Sequence, residues 1–289
     1  MGDLPGVTVR PLSADEALAV PDLWNASWER RGANPYPLSD TLWRERLASR
    51  HHRPSLLLGA FAGGELVGYA HGKLPVSPWQ PAGVAWVSSL AVAPGHQRRG
   101  VGTALLTALL DQLAASGAVQ VRFGSDADHL LPGVPSEAPP ATWRLLRRYG
   151  ARFAAFEHDL HLDLRLPLPE APLPPGWRLR DDDPQGALGF VQGVFPGRWA
   201  EELADYLAAG ATAFTVERTA DHPDGASAGA EGFCVAFQGG ERLTSPGLHW
   251  SGALARELPG GKPGGIGPLG LSPEGRGGGG GLAGGGGGG

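Results

Sequence analysis

A single cysteine, Cys234, is all the thiol that 289 residues contain. That excludes an internal disulfide and, with no second thiol, a thiolate metal site, so a reducing intracellular compartment is expected. Also missing is any uninterrupted apolar run of about 18 residues that would cross a bilayer; the most apolar stretch is broken by Asp111 and Gln112. The opening MGDLPGVTVR has neither the basic nor the apolar region of a secretory leader, and Gly6 stands where myristoylation wants Ser or Thr. An excess of positive charge is lacking too, and a net charge of −5 argues against nucleic acid as a partner. The expectation is a soluble, cytoplasmic chain. With 42% hydrophobic residues it can build a real core, and its length predicts about two domains.

What is present is organised around Leu90 to Leu110, LAVAPGHQRRGVGTALLTALL. An alternating apolar segment leads into a Pro-Gly turn, a basic glycine-bearing loop and an apolar helical pattern. The first amides of a helix have no intrahelical partner and the peptide dipoles add partial positive charge, so phosphate is the natural ligand there. Gly100 and Gly102 remove side chains that would hold a pyrophosphate away, and Arg98 and Arg99 add charge at the rim. A dinucleotide-binding loop is the competing interpretation, but Leu105 stands where its third glycine would let helix and strand approach.

Gln97-x-x-Gly100-x-Gly102-Thr103-Ala104, preceded by Leu90-Ala91-Val92 and Pro94, resembles the acetyl-coenzyme A signature of the GNAT N-acetyltransferases. The resemblance implies an α/β fold, a mixed and mostly antiparallel sheet flanked by helices. It implies acetyl-CoA as co-substrate, contacted by Leu90, Ala91, Val92, Gln97, Arg98, Arg99, Gly100, Val101, Gly102 and Thr103. It also implies acetyl transfer to an amine, by direct attack in a ternary complex; the acceptor is expected to be a small molecule.

The rest of the chain fits that order. Val7 to Leu12 alternates as a strand, and Ser13-Ala-Asp-Glu16 is a capping box opening a helix toward Trp24 and Trp28. A second helix spans Ser39 to Ser49. Leu56 to Phe61 and Leu66 to Lys73 form a hairpin about Ala-Gly-Gly-Glu, and Val84 to Val92 is the strand feeding the loop. Val101 to about Ala115 is a helix stopped by Gly117, followed by a strand at Val119 to Phe123 and a helix from about Pro140 to Tyr149. Ala151 to Leu166 alternates like a further strand.

Residues 167–175 hold five prolines in nine positions and predict a stiff linker closing a domain of residues 1–166. Beyond it the chain begins again. Gly176-Trp-Arg-Leu-Arg180 echoes Gly6-Val-Thr-Val-Arg10, and Gly232-Phe233 echoes Gly68-Tyr69. Leu269-Gly-Leu-Ser-Pro273 and Arg276-x-x-Gly279-x-Gly281 echo the signature at a constant offset of 179. The chain therefore reads as a tandem pair whose second copy, residues 176–276, is incomplete. Of the last 13 residues 11 are glycine, which costs about 1 kcal/mol each against alanine in a helix, so 277–289 cannot present a phosphate. A shifted reading frame and a disordered glycine-rich tail are both open explanations.

The proton-transfer groups are less legible. Family members often carry a tyrosine on the last helix, and Leu146 stands at that position. Tyr149, three residues on and about 300° around the helix, is the candidate general acid. The strand site of the usual base holds Ser88 and Ser89, leaving His71, Asp126, Asp128, His129 or a water chain. These gaps leave a catalytically silent acetyl-CoA sensor as the alternative function. Metal binding is not expected: His51 and His52 point apart, and Asp159, His161 and Asp163 are what the polar face of a strand looks like. The tryptophans near the first helices suit a core or, by the resemblance, an acceptor pocket.

Overall fold

The computed structural model describes residues 4–28, 34, 36–126, 130–156, 162–167, 172–227, 229–238, 264–273 and 275–276. They divide into two compact units, the first running to residue 158 and the second starting at residue 159.

The first unit opens with β1 (Val7–Pro11), from which the capping box leads into α1 (Ala14–Ala17): Glu16 N donates to Ser13 Oγ and Ser13 N to Glu16 Oε2. Arg10 clamps the same carboxylate at 2.6 and 2.8 Å, and these bonds hold the Glu16 acid down at about 2. Helices α2 (Val20–Ala26) and α3 (Asp40–Ala48) follow, the latter capped by Ser39. Strands β2 (Leu57–Ala62) and β3 (Glu65–Lys73) meet across Gly63 and Gly64, both at positive φ, which the right-handed twist of a tight hairpin demands. Then come β4 (Val84–Val92), α4 (Val101–Ala115), β5 (Gln120–Phe123) and α5 (Pro140–Arg148).

The sheet order is β1-β2-β3-β4-β5, antiparallel except for the β4–β5 pair, which α4 connects as a crossover. One face packs Trp24, Trp28, Leu42, Trp43, Tyr69 and Ala91 beneath α1 to α3. The other packs Leu105, Leu106, Leu109 and Leu113 of α4 and Leu146 of α5. Strand β3 serves both faces by alternation: Tyr69 and His71 are large, whereas Gly68, Ala70 and Gly72 leave room for α4. A Cβ at Gly72 would lie 2.7 Å from Leu109 Cδ1, and one at Gly68 would lie 3.0 Å from Leu105 Cδ1.

The expected strand from Ala151 to Leu166 does not form among the described residues. Alternation produces a strand only where an open edge pairs with it; here residues 151–156 are irregular and 163–166 fold into a turn, with Leu166 N donating to Asp163 O at 3.0 Å. Phe153 stacks between Trp143 and Phe156 instead.

The second unit contains β6 (Trp177–Arg180), α6 (Pro184–Val194), α7 (Arg198–Ala208), β7 (Thr212–Arg218), β8 (Gly232–Gln238) and β9 (Gly264–Leu271), in the sheet order β6-β7-β8-β9. Its register repeats that of the first unit. Gly68 pairs with Val92 and Tyr69 with Ala91; Gly232 pairs with Leu271 and Phe233 with Gly270. The glycine-rich echo at 277–289 lies outside the described residues.

The close fit of β3 beneath α4 generates a test. Gly72→Ala is expected to destabilise the first unit by about 1–3 kcal/mol in urea unfolding. Combined with Leu109→Ala, which vacates the space, it should cost clearly less than the sum of the two single effects.

Candidate active site

Strand β4 pairs with β5 only from Val84 to Val87, and the last bond of that edge runs from Gly124 N to Val87 O at 2.9 Å. At the next residue the register against β3 slips: His71 pairs with Ser89 and Gly72 with Val87, so Ser88 is an extra residue. A bulge of this kind bends its strand. Beyond it β4 stays with β3 and diverges from β5. Ala93 N donates to Val67 O on the β3 side, so by strand alternation the backbone groups of Leu90 and Val92 face the gap. Gln97 Nε2 occupies Val92 O at 2.9 Å, which leaves the Val92 N–H directed at the opening.

The chain then turns through Pro94–His96, and both Arg98, at φ +63°, and Gly100, at φ +92°, take left-handed backbone. Gly100 caps α4 with no side chain, and the first intrahelical bond is Ala104 N to Gly100 O. The amides of Val101, Gly102 and Thr103 are therefore left for a ligand. Gly102 itself has ordinary backbone, and a Cβ there would sit 3.6 Å from Leu145 Cδ2 and 3.7 Å from Val92 Cγ2. Its value lies in the space it leaves, whereas that of Gly100 lies in its conformation.

These elements surround a cavity of about 450 Å³. On the α4 and α5 side it is lined by Gln97, Arg98, Gly100, Gly102 and Thr103, with Arg144 and Arg148 of α5 adding two more cations. The same cavity passes the open edge of β4 and reaches Trp24, Ser27 and Trp28 beneath the first helices. It thus joins the two faces of the sheet through the gap between β4 and β5. Ser88 and Ser89 line it where it crosses; both are buried, and neither hydroxyl has a hydrogen bond to a described residue.

Residues 19–129 match the acetyltransferase (GNAT) family. Over 277 residues the chain is 32% identical to a mycothiol acetyltransferase of Salinispora tropica, covering 92% of this chain and 76% of that one. The chain belongs to the GNAT acetyltransferase family. A mycothiol acetyltransferase of Thermobispora bispora is 32% identical over 290 residues, 94% of this chain and 80% of the relative. Among solved structures, the GCN5-related glucosamine N-acetyltransferase region of a fungal multi-domain β-N-acetylglucosaminidase superposes with a TM-score of 0.71. It covers 94% of this chain and 32% of that one at 20% identity, a likeness of fold.

Within this GNAT chain the expected donor-side residues separate. Leu90, Ala91, Val92, Gln97, Arg98, Gly100, Gly102 and Thr103 line the cavity. Val101 is buried in the core beneath α4 and offers only its amide, and Arg99 is exposed outside the lining. Tyr149 ends α5 with its hydroxyl bonded to Thr107 Oγ1 and 3.5 Å from Thr103 O, away from the cavity wall that Leu146 occupies. Asp126 is fully buried in an ion pair with Lys73 at 2.8 Å, which ties the loop after β5 to the end of β3. Asp128 and His129 lie outside the described residues.

Behind the cavity, on the α1–α3 face of the sheet, stand groups that the motif did not indicate. His52 Nδ1 lies 3.2 Å from His71 Nε2, and Trp43 meets the His71 ring edge-on. Burial pushes the Tyr69 phenol well above its ordinary value. The available signal was the pair of serines inside an otherwise apolar strand. Arg144 and Arg148 belong to a local cluster of arginines, with Arg147 between them in the sequence. Among the described residues no helix is long and apolar enough to cross a membrane.

The placement of Tyr149 has a measurable consequence. Removing its hydroxyl in Tyr149→Phe should cost about 0.5–1.5 kcal/mol in urea unfolding, the worth of one hydrogen bond. The rate of acetyl transfer should stay within about threefold of the parent, since this hydroxyl ties α5 to α4 and does not face the cavity.

Proposed function

We propose that the first unit transfers an acetyl group from acetyl-CoA to an amine, and that the cavity crossing the sheet beside β4 holds both substrates. The single observation carrying this is the continuity of that cavity from a phosphate-suited helix start to a tryptophan-lined opening on the other face.

The diphosphate is read as lying on the amides of Val101, Gly102 and Thr103, where each bond to a charged oxygen contributes roughly 1.5–3 kcal/mol. Arg98, Arg144 and Arg148 add charge around it. The backbone of Leu90 and Val92 is suited to pair with the amide-bearing arm of the co-substrate. When bound, acetyl-CoA supplies an acetyl group activated as a thioester. The Val92 N–H is positioned to stabilise the negative charge that develops on the carbonyl oxygen as the amine attacks. The acceptor would enter beside Trp24, Ser27 and Trp28. The names of the relatives support a mycothiol-related amine, and the lone Cys234 fits a reducing, cytoplasmic setting.

The tandem reading extends this. Residues 1–166 carry the working site, 167–175 link it onward, and 176–276 repeat the strand register without a described counterpart of α4. One observation favours the second reading, a silent acetyl-CoA sensor: the described cavity wall holds no carboxylate, imidazole, phenol or thiol.

Acetyl-CoA at a hundredfold excess over its Kd should raise the Tm of the full chain by about 5–10 °C. Gly102→Glu should abolish that rise with little loss of intrinsic stability, because Gly102 has ordinary backbone and faces the cavity. No rise in the parent chain would refute donor binding. Free-thiol release with a panel of amines, including the amine that acetylation converts to mycothiol, separates the readings: binding without release on any amine supports the sensor.

A further inference from the structure

A free strand edge repeats itself every two residues, so by itself it does not tell a bound chain where to stop. In the ladder between β3 and β4, Ala93 N donates to Val67 O, which makes Gly68 and Val92 a pair that exchanges no hydrogen bonds. By the same alternation Ala70 and Leu90 are another such pair. Leu90 and Val92 therefore each turn an N–H and a carbonyl away from β3 and into the gap. As backbone the two positions are equivalent, and an arm carrying amides could pair with this edge in two registers one repeat, about 6.4–6.8 Å, apart.

The open edge is bounded at both ends. At one end β5 closes it, where Gly124 N donates to Val87 O at 2.9 Å. At the other end Gln97 closes it. The chain leaves β4, turns through Pro94–His96 and comes back far enough for Gln97 Nε2 to donate to Val92 O at 2.9 Å. A partner strand would bring an N–H to that oxygen; Gln97 brings its own. The next residue, Arg98, takes left-handed backbone at φ +63°, so the loop changes direction directly after this bond and runs on to the amides that start α4. Val92 consequently offers a ligand its N–H and withholds its carbonyl, whereas Leu90 offers both. The equivalence of the two positions is broken by one side chain.

We propose that Gln97 is the register stop for the co-substrate, an inference resting on the acetyl-CoA reading above. By occupying the Val92 carbonyl it makes Val92 a donor-only position, so a carbonyl oxygen of acetyl-CoA, and not an N–H of its arm, comes to rest there. In the displaced register an arm N–H would have to push Gln97 off the carbonyl. Gln97 acts through Val92 and is a positioning residue. Its bond joins the strand that carries the arm to the loop that carries the diphosphate, so the two ends of the co-substrate are set relative to each other.

The test compares two variants of the full chain, assayed by CoA thiol release with the amine precursor of mycothiol and by calorimetric titration with acetyl-CoA. Gln97→Met keeps the length of the side chain and loses the N–H, whereas Gln97→Arg keeps an N–H donor. Gln97 is exposed, so neither change removes core packing. In Gln97→Met the Val92 carbonyl is released and a slipped complex gains one hydrogen bond, about 2–10-fold in affinity. Slipped complexes hold acetyl-CoA without reacting, so kcat and KM for acetyl-CoA should fall together by that factor. The ratio kcat/KM starts from free enzyme and free co-substrate and should stay within about twofold of the parent. The Kd for acetyl-CoA, measured without an amine, should fall as KM does. Gln97→Arg should keep kcat within about twofold of the parent, whatever its charge does to KM. A KM and Kd that are unchanged or raised in Gln97→Met, or a kcat that falls as far in Gln97→Arg as in Gln97→Met, would overturn the register stop alone. If the parent binds acetyl-CoA but acetylates no amine, the transferase reading fails and the Kd of Gln97→Met still decides the stop. Absence of acetyl-CoA binding by the parent would overturn both.

Discussion

β4 cannot follow both of its neighbours beyond Val87. Its pairing with β3 is antiparallel and extends to Val92, while its parallel pairing with β5 ends after four residues, and the extra residue Ser88 marks where the two demands part. One inserted residue opens the sheet, exposes the backbone edge of Leu90 and Val92, and aims two hydroxyls into the opening. The loop and α4 that follow start from the far end of this diverging strand. Their amides consequently face the same gap, and the bulge and the helix start form one structural feature.

The gap is useful because the layers on either side differ. The face beneath α4 and α5 is built from leucines against the small residues Gly68, Ala70 and Gly72, with arginines at its rim. The opposite face is aromatic, and Trp43, held by its bond to Ala17 O, organises Tyr69 and His71. Burying Lys73 with Asp126 is costly for each ion alone, and removing one partner of such a pair typically costs about 3–5 kcal/mol. That penalty fixes the loop after β5, whose Gly124, Leu131 and Gly133 complete the cavity. A cavity that carries polar groups can cross the core here because its walls are anchored on both sides.

The second unit shows how much of this frame a strand register can carry. Its β8 and β9 reproduce the pairing of Gly68 with Val92 at Gly232 and Leu271, and a slip follows Cys234 as one follows His71. Yet Val235 stands in the position that His71 takes in the first, and it packs into the core with Phe233 and Phe237. A repeated backbone therefore does not carry repeated chemistry.

The local features were legible in the sequence. The strand, loop and helix about Gln97 to Gly102, the hairpin at Gly63 and Gly64, the capping box at Ser13 and the helix stop at Gly117 depend on φ, periodicity and caps within a few residues. The echo at an offset of 179 likewise lay in the sequence before any coordinates. What the sequence could not determine depended on partners distant in the chain. Alternation over 151–166 suggested a strand, but a strand needs an edge to pair with. Helical spacing allowed Tyr149 near the cavity, but only the packing of α5 on α4 decided that Leu146 faces inward and that the tyrosine hydroxyl meets Thr107. Likewise Ser89 and His71 are 18 positions apart, and only the ladder, shifted by one bulged residue, sets them opposite each other. Sequence alone determined which segments form and where phosphate is favoured. Tertiary structure decided which side chains share the cavity, because that depends on strand register and helix rotation, which no local pattern encodes.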